Sequence, residues 1–392
     1  MQARLIRELS ELEKLEGPWN DLIAHSDFRE PCYSWTWQML WWKHFGSEDE
    51  PFVVAVENED RELCAVAFLM RKITSLRGLS VRTVSFAANA ITPRSTILYR
   101  RDRSLIEGVD AVLRCLANHR NEWDWANLVN IDAGLPYLGS LHDLGRQHRI
   151  RVLTSAGRRS PQIKIGDNFE EYLLKVLNRE RRHSIRRKVR VLSRQNYRVT
   201  EFSRPEEMDQ AIKAAMAVSK ASWKGSRGSD ISSSGARRGF YTEVAKDFAR
   251  RGQLRIWLSY LDDTPIALEY YLASGRKLHF LVNDFDETFE KSSPGTVLLY
   301  QVLEQLHKEQ VEEFDFGGEA YAYKMKWATG IREHVTIELF NCNWYSSFIF
   351  ITKARILPLL RAMRGMCGRI WGRAGQESPT ETTLRPANTK MM

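Results

Sequence analysis

The sequence predicts an α/β (α+β) protein made of two tandem copies of one unit, each a mixed, mostly antiparallel sheet flanked by helices. The chain has 392 residues, a length that suits two or three domains. Its residues are 43% apolar and 27% charged, and this composition excludes a disordered chain. The third observation is a repeat, because one order of strands and helices recurs at a nearly constant offset of roughly 200 residues.

The second copy has the clearest pattern. Residues 292–295 read Ser-Ser-Pro-Gly and are followed by apolar residues on one helical face, so they predict the start of a helix. Gly317 and Gly318 interrupt the chain ahead of a short helical stretch over residues 321–328. Alternating apolar residues predict strands at 253–261, 265–273, 277–283, 311–316 and 334–340.

The first copy repeats this order, although few residue identities match. Its predicted helices are residues 104–119 and a short stretch that ends near His148. Alternation predicts strands at 52–57, 63–70, 81–87 and 125–131. We expect domains at residues 1–160 and 161–345, and an amphipathic helix with a disordered tail over 346–392.

A long helical insert opens the second copy. Residues 179–198 hold nine Lys and Arg against the single acid Glu180, so this segment carries nearly all of the net charge of +9. Ile185, Val189 and Leu192 share one face of the predicted basic helix. A second helix over 203–223 and a flexible Gly/Ser-rich loop over 225–235 are predicted to follow.

The cysteines and the N-terminus predict a cellular compartment. Five cysteines are widely scattered without metal-ligand spacing, so we expect free thiols in a reducing environment and no metal. The charged N-terminal segment has no apolar core of the secretory kind, and we expect a cytoplasmic protein. Motifs typical of dinucleotide binding, nucleotide hydrolysis, zinc proteolysis and serine hydrolysis do not occur in the sequence.

One segment is suited to binding an anion. The backbone N–H groups at the start of the helix after Ser293 and the charge of Lys291 would face a pyrophosphate. Ser-Pro-Gly is also an ordinary helix start, so this motif alone leaves both interpretations open.

The blocks Ser293-Pro294-Gly295, Asp315-Phe316-Gly317-Gly318 and Tyr323-Lys324, followed by Trp327, carry a family resemblance. With this spacing the chain resembles the GNAT acyltransferase superfamily, in the CelD-like or BioF2-like acetyltransferase branch related to FemAB-type tandem transferases. The resemblance is strongest over residues 169–340 and is architectural in the first copy. It implies that the second copy carries the active site.

The resemblance also implies roles for individual residues. Backbone N–H groups of Leu281, Val282 and Asn283 would bind the acyl donor, and its phosphates would lie at Lys291, Ser293, Gly295 and Thr296. Tyr323 and Lys324 would be proton donor and substrate anchor, and a core position is the alternative for the tyrosine. Gly295 is the single glycine of this loop, which is fewer than the family pattern has.

A general base is sought among the acidic residues. Glu269 is the odd residue of the apolar strand IALEYYLA, and burial would raise its pKa toward a useful value. A Glu at the sheet edge paired with an Arg is the structural alternative. Asp284, Asp315 and Glu319 are rival acids, and Asp315 is included among the predicted catalytic residues.

These observations predict an acyl-CoA-dependent N- or O-acyltransferase that acts on a cytoplasmic amine or hydroxyl acceptor, with a precursor of an envelope or exported polysaccharide suggested by the resemblance. No tightly bound cofactor is expected. The alternatives are a FemAB-like transferase that uses aminoacyl-tRNA and a non-catalytic RNA- or partner-binding protein on a decayed acyltransferase fold. The basic helix fits a solvated face, an anionic acyl carrier, or RNA and anionic lipid.

Two further segments have predicted roles. The first copy lacks the Pro-Gly start at residues 99–104, so we expect it to bind no donor and to form a wall of the acceptor groove. The segment over 344–371 mixes apolar and basic residues, and it is expected either to dock on the protein or to contact the headgroups of an anionic membrane.

Overall fold

The computed structural model describes residues 1–76, 78–101 and 105–356. These belong to two compact units, Met1–Cys342 and the unit that begins at Asn343. The strands are β1 Gln2–Ile6, β2 Glu50–Pro51, β3 Val53–Glu57, β4 Leu63–Ala67, β5 Leu69–Leu76, β6 Leu79–Phe86, β7 Leu98–Tyr99, β8 Trp125–Asp132, β9 Ile150–Lys164, β10 Tyr197–Phe202, β11 Leu254–Leu261, β12 Thr264–Ser274, β13 Lys277–Phe285, β14 Glu313–Asp315 and β15 Gly330–Asn341. The α-helices are α1 Leu9–Glu13, α2 Glu16–Ala24, α3 Trp35–Phe45, α4 Leu105–Asn118, α5 Leu141–Gln147, α6 Phe169–Val176, α7 Arg179–Ser193, α8 Met208–Ala221, α9 Trp223–Ser226, α10 Gly235–Arg250, α11 Pro294–Lys308, α12 Ala322–Met325 and α13 Trp344–Ile351.

The strands form two sheets, and the predicted fold class is confirmed. A four-stranded sheet has the order β1-β3-β4-β7, and an eleven-stranded sheet has the order β10-β11-β12-β13-β14-β9-β15-β8-β6-β5-β2. Parallel pairing joins β6 to β8 and β13 to β14. The other strand pairs are antiparallel.

The predicted repeat is present in the order of elements. Apart from the additional strands β5 and β7, the first copy runs β3, β4, β6, α4, β8, α5 and β9, and the second runs β11, β12, β13, α11, β14, α12 and β15. The predicted strand over 63–70 is divided at Phe68, so that β4 and β5 enter different sheets. Helix α4 begins at Leu105, and residue 104 of its predicted range lies outside the described residues.

The last strand of each copy pairs with the other copy. β9 lies between β14 and β15, and β15 in turn pairs with β8. This exchange joins strands of both copies in the eleven-stranded sheet. Because β9 runs through residue 160 without a break, the domain boundary near that residue stays a prediction.

The sequence analysis missed several elements of this architecture. Strands β1, β9 and β10 and helices α2, α3 and α10 lie where it predicted no regular structure. The predicted helix over 321–328 is the single turn α12, and the helix predicted from 203 begins at Met208, after a 3₁₀ turn at Pro205–Glu207. The apolar face of the basic helix is confirmed, since Ile185 and Leu192 are buried in α7.

Aromatic side chains join the first helices to the second copy. Trp19, Trp37 and Trp41 are almost completely buried. The Trp37 ring meets the edge of Phe240 on α10 at a centroid distance of 5.1 Å. Such edge-to-face pairs add to the large apolar area that aromatic residues bury.

The unit after Cys342 is described only as far as residue 356. Helix α13 has Trp344, Phe348 and Ile351 exposed, and a π-helical turn at Thr352–Ile356 follows it. The rest of the predicted segment over 344–371, and the tail to 392, lie outside the described residues. Within the part of the chain that is described, no helix is both long and apolar enough to cross a bilayer.

Candidate active site

A cavity of about 850 Å³ lies in the second copy, and its lining residues fall between Leu177 and Trp327. Its walls come from α7, α9, the end of β13, the first turn of α11 and the chain around α12. The lining contains no residue of the first copy among those described. The predicted acceptor wall from the first copy therefore does not reach this cavity.

Strand β13 separates from its parallel neighbour beside the cavity. The pairing of β13 with β14 ends at His279 and Asp315, although β13 continues to Phe285. On its other side, the register with β12 shifts between Tyr270 and Tyr271, which leaves Leu281 in a bulge. A bulge next to a splayed edge exposes backbone groups that the sheet does not use.

Asn283 is the one residue of the predicted backbone trio whose position lines the cavity. The side chain of Val282 is buried in the core, and that of Leu281 packs against the same core cluster. Neither residue is part of the cavity lining, so a contact of their backbone N–H groups with a donor stays a prediction.

Helix α11 begins at the cavity. Gly295 and Thr296 line it, and the first intrahelical bond runs from the Val297 N–H to the Ser293 carbonyl at 3.1 Å. The N–H groups of Gly295 and Thr296 therefore precede the regular bonding of the helix. Ser293 itself adopts a left-handed conformation with φ of 52°, which turns the chain sharply into the helix.

The cation next to this helix start is not the predicted one. Lys291 is exposed and lies outside the cavity lining. Lys188 of α7 instead donates a hydrogen bond from Nζ to Ser293 Oγ at 2.6 Å. The basic helix thus places a cation at the helix start for which the sequence predicts Lys291 of the loop.

The wall of the cavity is strongly basic. Arg181, Ser184, Ile185 and Lys188 form one face of α7 at helical spacing. The lining also includes the cationic side chains Lys224, Arg227, Lys324 and Lys326. A cavity with so many cations favours an anionic ligand.

Glu269 is buried at the floor of the cavity. Its residue is 1% exposed, and Tyr271 donates a hydrogen bond from its hydroxyl to Glu269 Oε2 at 2.6 Å. Burial raises the pKa of Glu269 from 4.5 to about 8, against the opposite effect of the Tyr271 hydrogen bond. The alternative of an edge-facing Glu paired with an Arg is wrong for this residue.

Tyr323 and Lys324 approach the cavity from α12. The Tyr323 hydroxyl donates to Asn283 Oδ1 at 3.2 Å, and burial raises the pKa of this tyrosine above its ordinary range. Lys324 is 3% exposed and donates from Nζ to the carbonyl oxygens of Phe316 at 3.0 Å and Gly317 at 2.9 Å. Burial, with repulsion from Lys224, lowers the pKa of Lys324 to about 8.

The structure places Asp315 outside the cavity. This carboxylate is 1% exposed and forms ion pairs with Arg94 and with Arg332. Its Oδ1 atom accepts the Gly317 N–H at 2.7 Å. These contacts favour a structural role over the predicted catalytic one, because both oxygens are already used.

The other two rival acids are also occupied. Asp284 lines the cavity but pairs with Lys224 Nζ at 2.7 Å and accepts from Ser219 Oγ at 2.5 Å. Glu319 pairs with Arg158 at 3.2 Å and is not part of the lining. Among the acids considered, Glu269 alone combines burial, a place in the cavity and the absence of a direct cationic partner within the described chain.

Several cavity residues were not predicted as site residues. Trp223 is 44% exposed and has the Arg227 guanidinium 4.9 Å from its ring centroid. Tyr321, 58% exposed, stacks on Tyr323 with 9° between the ring planes. The signal that could have found Arg181 and Lys188 is their spacing of two helical turns around Ile185.

Comparison by sequence finds a family match within the second copy. Residues 179–325 match the family described as an acetyltransferase (GNAT) domain. No sequence among curated proteins matches the chain.

Solved structures resemble nearly the whole chain. A conserved protein of unknown function from Bacteroides thetaiotaomicron VPI-5482 has a TM-score of 0.55 at 9% identity, covering 83% of this chain and 97% of that one. FemX has a TM-score of 0.53 at 12% identity, covering 86% and 97%. The C-terminal domain of a putative lysylphosphatidylglycerol synthetase from Agrobacterium fabrum has a TM-score of 0.52 at 11% identity, covering 88% and 97%. At these identities the likeness concerns the fold.

The raised pKa of Glu269 predicts a pH-dependent stability. The folded chain keeps this proton up to about pH 8, whereas the unfolded chain loses it near its ordinary pKa of 4.5. The stabilisation of the folded state by the bound proton of Glu269 is therefore complete below pH 4.5. It is lost as the pH rises to 8, at up to about 1.4 kcal/mol of the free energy of unfolding per pH unit. We expect Glu269→Gln to flatten the decline in the free energy of unfolding between pH 5 and pH 8, measured by urea denaturation. Equal slopes in the wild type and the variant would contradict a buried protonated Glu269.

Proposed function

Starting from a GNAT-superfamily fold in a FemAB-like tandem arrangement, we propose that this chain is an acyl-CoA-dependent N- or O-acyltransferase. The observation that carries the proposal is the cavity in which the splayed end of β13, the N-terminus of α11 and the buried Glu269 meet. Acyl transfer needs an anion site for the donor, an oxyanion donor and a proton acceptor. This cavity has a candidate for each.

The donor would lie along β13 with its phosphates at α11. The N–H groups of Gly295 and Thr296 and the positive end of the helix dipole suit a pyrophosphate. Lys188 supports the same position, since its ammonium is within hydrogen-bond distance of Ser293 at the helix start. The thioester carbonyl would then accept a hydrogen bond from the β13 backbone between Leu281 and Asn283.

Glu269 would act as the general base. It takes a proton from the acceptor amine or hydroxyl while the nucleophile bonds to the thioester carbon. The tetrahedral oxyanion collapses, the carbon–sulfur bond breaks, and the thiolate of coenzyme A leaves. Tyr323 is the proton donor to this thiolate, and its raised pKa keeps it protonated until then. Lys324 would anchor the acceptor.

The basic wall supports aminoacyl-tRNA as the second candidate donor. Arg181 and Lys188 face the cavity from α7, and the rest of this helix carries further cations. Contacts of several cations with phosphates give RNA binding that weakens steeply with salt. A non-catalytic RNA- or partner-binding role remains the alternative of a different class.

The acceptor and the cellular setting are proposed from the family resemblance. We expect a cytoplasmic amine or hydroxyl compound, of the kind that serves as a precursor of envelope or exported polysaccharides, as the acceptor. The resemblance to CelD-like acetyltransferases favours acetyl-CoA as the donor. Turnover of acetyl-CoA by the purified chain in the presence of amino sugars is the first assay for this expectation.

Donor binding is expected to depend on the charge at the start of α11. Calorimetry with acetyl-CoA and longer acyl-CoAs is expected to give saturable heat, and Gly295→Asp is expected to weaken binding about tenfold because an anion meets the phosphates. The matched control is Gly295→Asn, because the same side-chain volume meets Phe285 in both variants. Equal affinities of the Asp and Asn variants would refute this placement of the phosphates. No heat from any acyl-CoA, together with salt-dependent tRNA binding, would favour the second candidate.

Turnover is expected to depend on Glu269 and Tyr323. Glu269→Gln and Tyr323→Phe are each expected to lower kcat about 100-fold or more while donor affinity stays nearly unchanged. The rise of kcat/KM toward pH 8 is expected to disappear in Glu269→Gln, because the base is then absent. Tyr321→Phe is the control, since this neighbouring tyrosine is the more exposed of the stacked pair. A Glu269→Gln variant that keeps both its rate and its pH profile would exclude Glu269 as the base.

The segment after Cys342 is proposed to contact either the protein or an anionic membrane. Residues 344–376 contain no acid, and Lys353 and Arg355 follow the exposed apolar face of α13. Such a segment gains about 1 kcal/mol per basic residue at an anionic surface. Flotation with phosphatidylglycerol vesicles at low salt tests this contact. Co-flotation that is lost on deleting residues 344–392 would support membrane contact through this segment, and a protein that stays at the bottom would contradict such contact.

A further inference from the structure

Two consecutive glycines after β14 shape the position of Lys324. Gly317 and Gly318 have φ values of 53° and 61°, in the left-handed region that favours glycine. The carbonyl oxygens of Phe316 and Gly317 both accept hydrogen bonds from Lys324 Nζ. The ammonium of a cavity lysine is therefore held by the backbone of this turn, which we call the Gly317 turn (residues 316–318).

The Gly317 turn is held from behind by groups that do not line the cavity. Asp315 Oδ1 accepts the Gly317 N–H at 2.7 Å. Ser160 of β9 donates from Oγ to the Gly318 carbonyl at 3.1 Å, and the Phe316 N–H donates to the Pro161 carbonyl at 3.0 Å. Two of these three contacts come from the last strand of the first copy.

The first copy also fixes Asp315 itself. Arg94, whose side chain is 3% exposed, bonds through Nη2 to Asp315 Oδ2 and through Nη1 to Glu30 Oε1 at 2.9 Å. The planar fork of an Arg can hold two carboxylates at once in a fixed geometry. Arg332 of β15 adds a contact to Asp315 Oδ2 at 3.3 Å.

We propose that Arg94 of the first copy is a positioning residue, which acts through Asp315 and the Gly317 turn to hold the Lys324 ammonium in the cavity of the second copy. This inference rests on the proposed function insofar as Lys324 serves the reaction. Among the described residues, the first copy supplies none to the cavity lining. The proposal gives this copy an indirect role in the site, through the contact of Arg94 with Asp315.

The chain of contacts is continuous from one copy to the cavity. Without Arg94, the buried Asp315 carboxylate keeps only its contact with Arg332 and is incompletely neutralised. Such a buried charge is destabilising unless the carboxylate moves. A displaced Asp315 releases the Gly317 N–H, and the turn then loses its left-handed geometry. Lys324 would exchange the two carbonyl acceptors for water in the open cavity, and its pKa would rise toward the ordinary 10.5.

The test follows the ionisation of Lys324 directly. The full-length protein is labelled with [ε-¹³C]lysine, and the Lys324 signal is assigned by its loss in Lys324→Arg. Its titration midpoint is then measured by NMR in the wild type and in Arg94→Met. We expect the midpoint to be higher by about one pH unit or more in the variant. Burial has the largest effect on the Lys324 pKa, followed by the charges of Lys224, Glu269, Glu319 and Arg158, and Arg94 is not one of these charges.

Control variants keep the result interpretable. Arg100→Met removes another buried Arg that pairs with an Asp of the first copy, Asp21, and it is expected to leave the midpoint unchanged. Arg94→Lys keeps the charge but lacks the fork that spans Glu30 and Asp315, and a smaller rise is expected. It also replaces Arg94→Met if that variant does not fold. A folded Arg94 variant with an unchanged or lowered midpoint would overturn the proposal, as would an equal rise in Arg100→Met.

Kinetics then separate this inference from the proposed function. If the chain is an acyltransferase, Arg94→Met is expected to lower kcat about tenfold, to leave the donor KM within about twofold and to move the pH profile with the NMR midpoint. A raised midpoint in a protein whose wild type turns over no acyl-CoA would retain the positioning role and reject the function. An unchanged midpoint in an active enzyme would reject the positioning role of Arg94 and retain the proposed function.

Discussion

The pairing of β9 with β14 is the interaction on which the candidate site depends. β14 has three residues, and β13 pairs with it over the same three positions. Without β9 this short strand would be an unsupported edge beside the splayed end of β13. β9 also brings Ser160 and Pro161 to the Gly317 turn. The exchange of last strands therefore stabilises the sheet and fixes the backbone that holds Lys324.

The buried ionisable groups in and near the cavity differ in whether an ion pair neutralises their charge. Asp284 and Asp315 each have a cationic partner and a hydrogen-bond donor, so their charges are used inside the fold. Glu269 and Lys324 are buried with hydrogen bonds but, within the described part of the chain, without an ion-pair partner. Burial moves the pKa of both groups to about 8, upward for Glu269 and downward for Lys324. Groups that can change protonation near neutral pH are the ones that proton transfer requires.

The sequence was most informative where local patterns and local chemistry agree. The strand pattern over residues 253–283 predicted β11 to β13 nearly to the residue, although the apolar residues of β12 form a nearly continuous buried run rather than a strict alternation. The same pattern singled out Glu269 as the acid that does not fit. It failed for β9, whose side chains between Arg151 and Arg159 are exposed or half-buried and mostly polar. A strand stabilised by its two neighbours needs no apolar face of its own, and no periodicity then marks it.

The sequence by itself determined the α/β class, the repeated order of elements and the helix start at Pro294, since strands and helices are marked by patterns among neighbouring residues. The strand pattern also marked Glu269 as an unusual acid, and the family resemblance indicated Tyr323 and Lys324. Only the tertiary structure decided which cation stands at that helix start and which acids are free. Lys188 lies more than 100 residues from Ser293, and Arg94 lies 221 residues from Asp315. The assembly of the sheet brings these distant residues together. A contact between distant segments produces no repeating pattern in the sequence of either segment, so the sequence alone could not predict it.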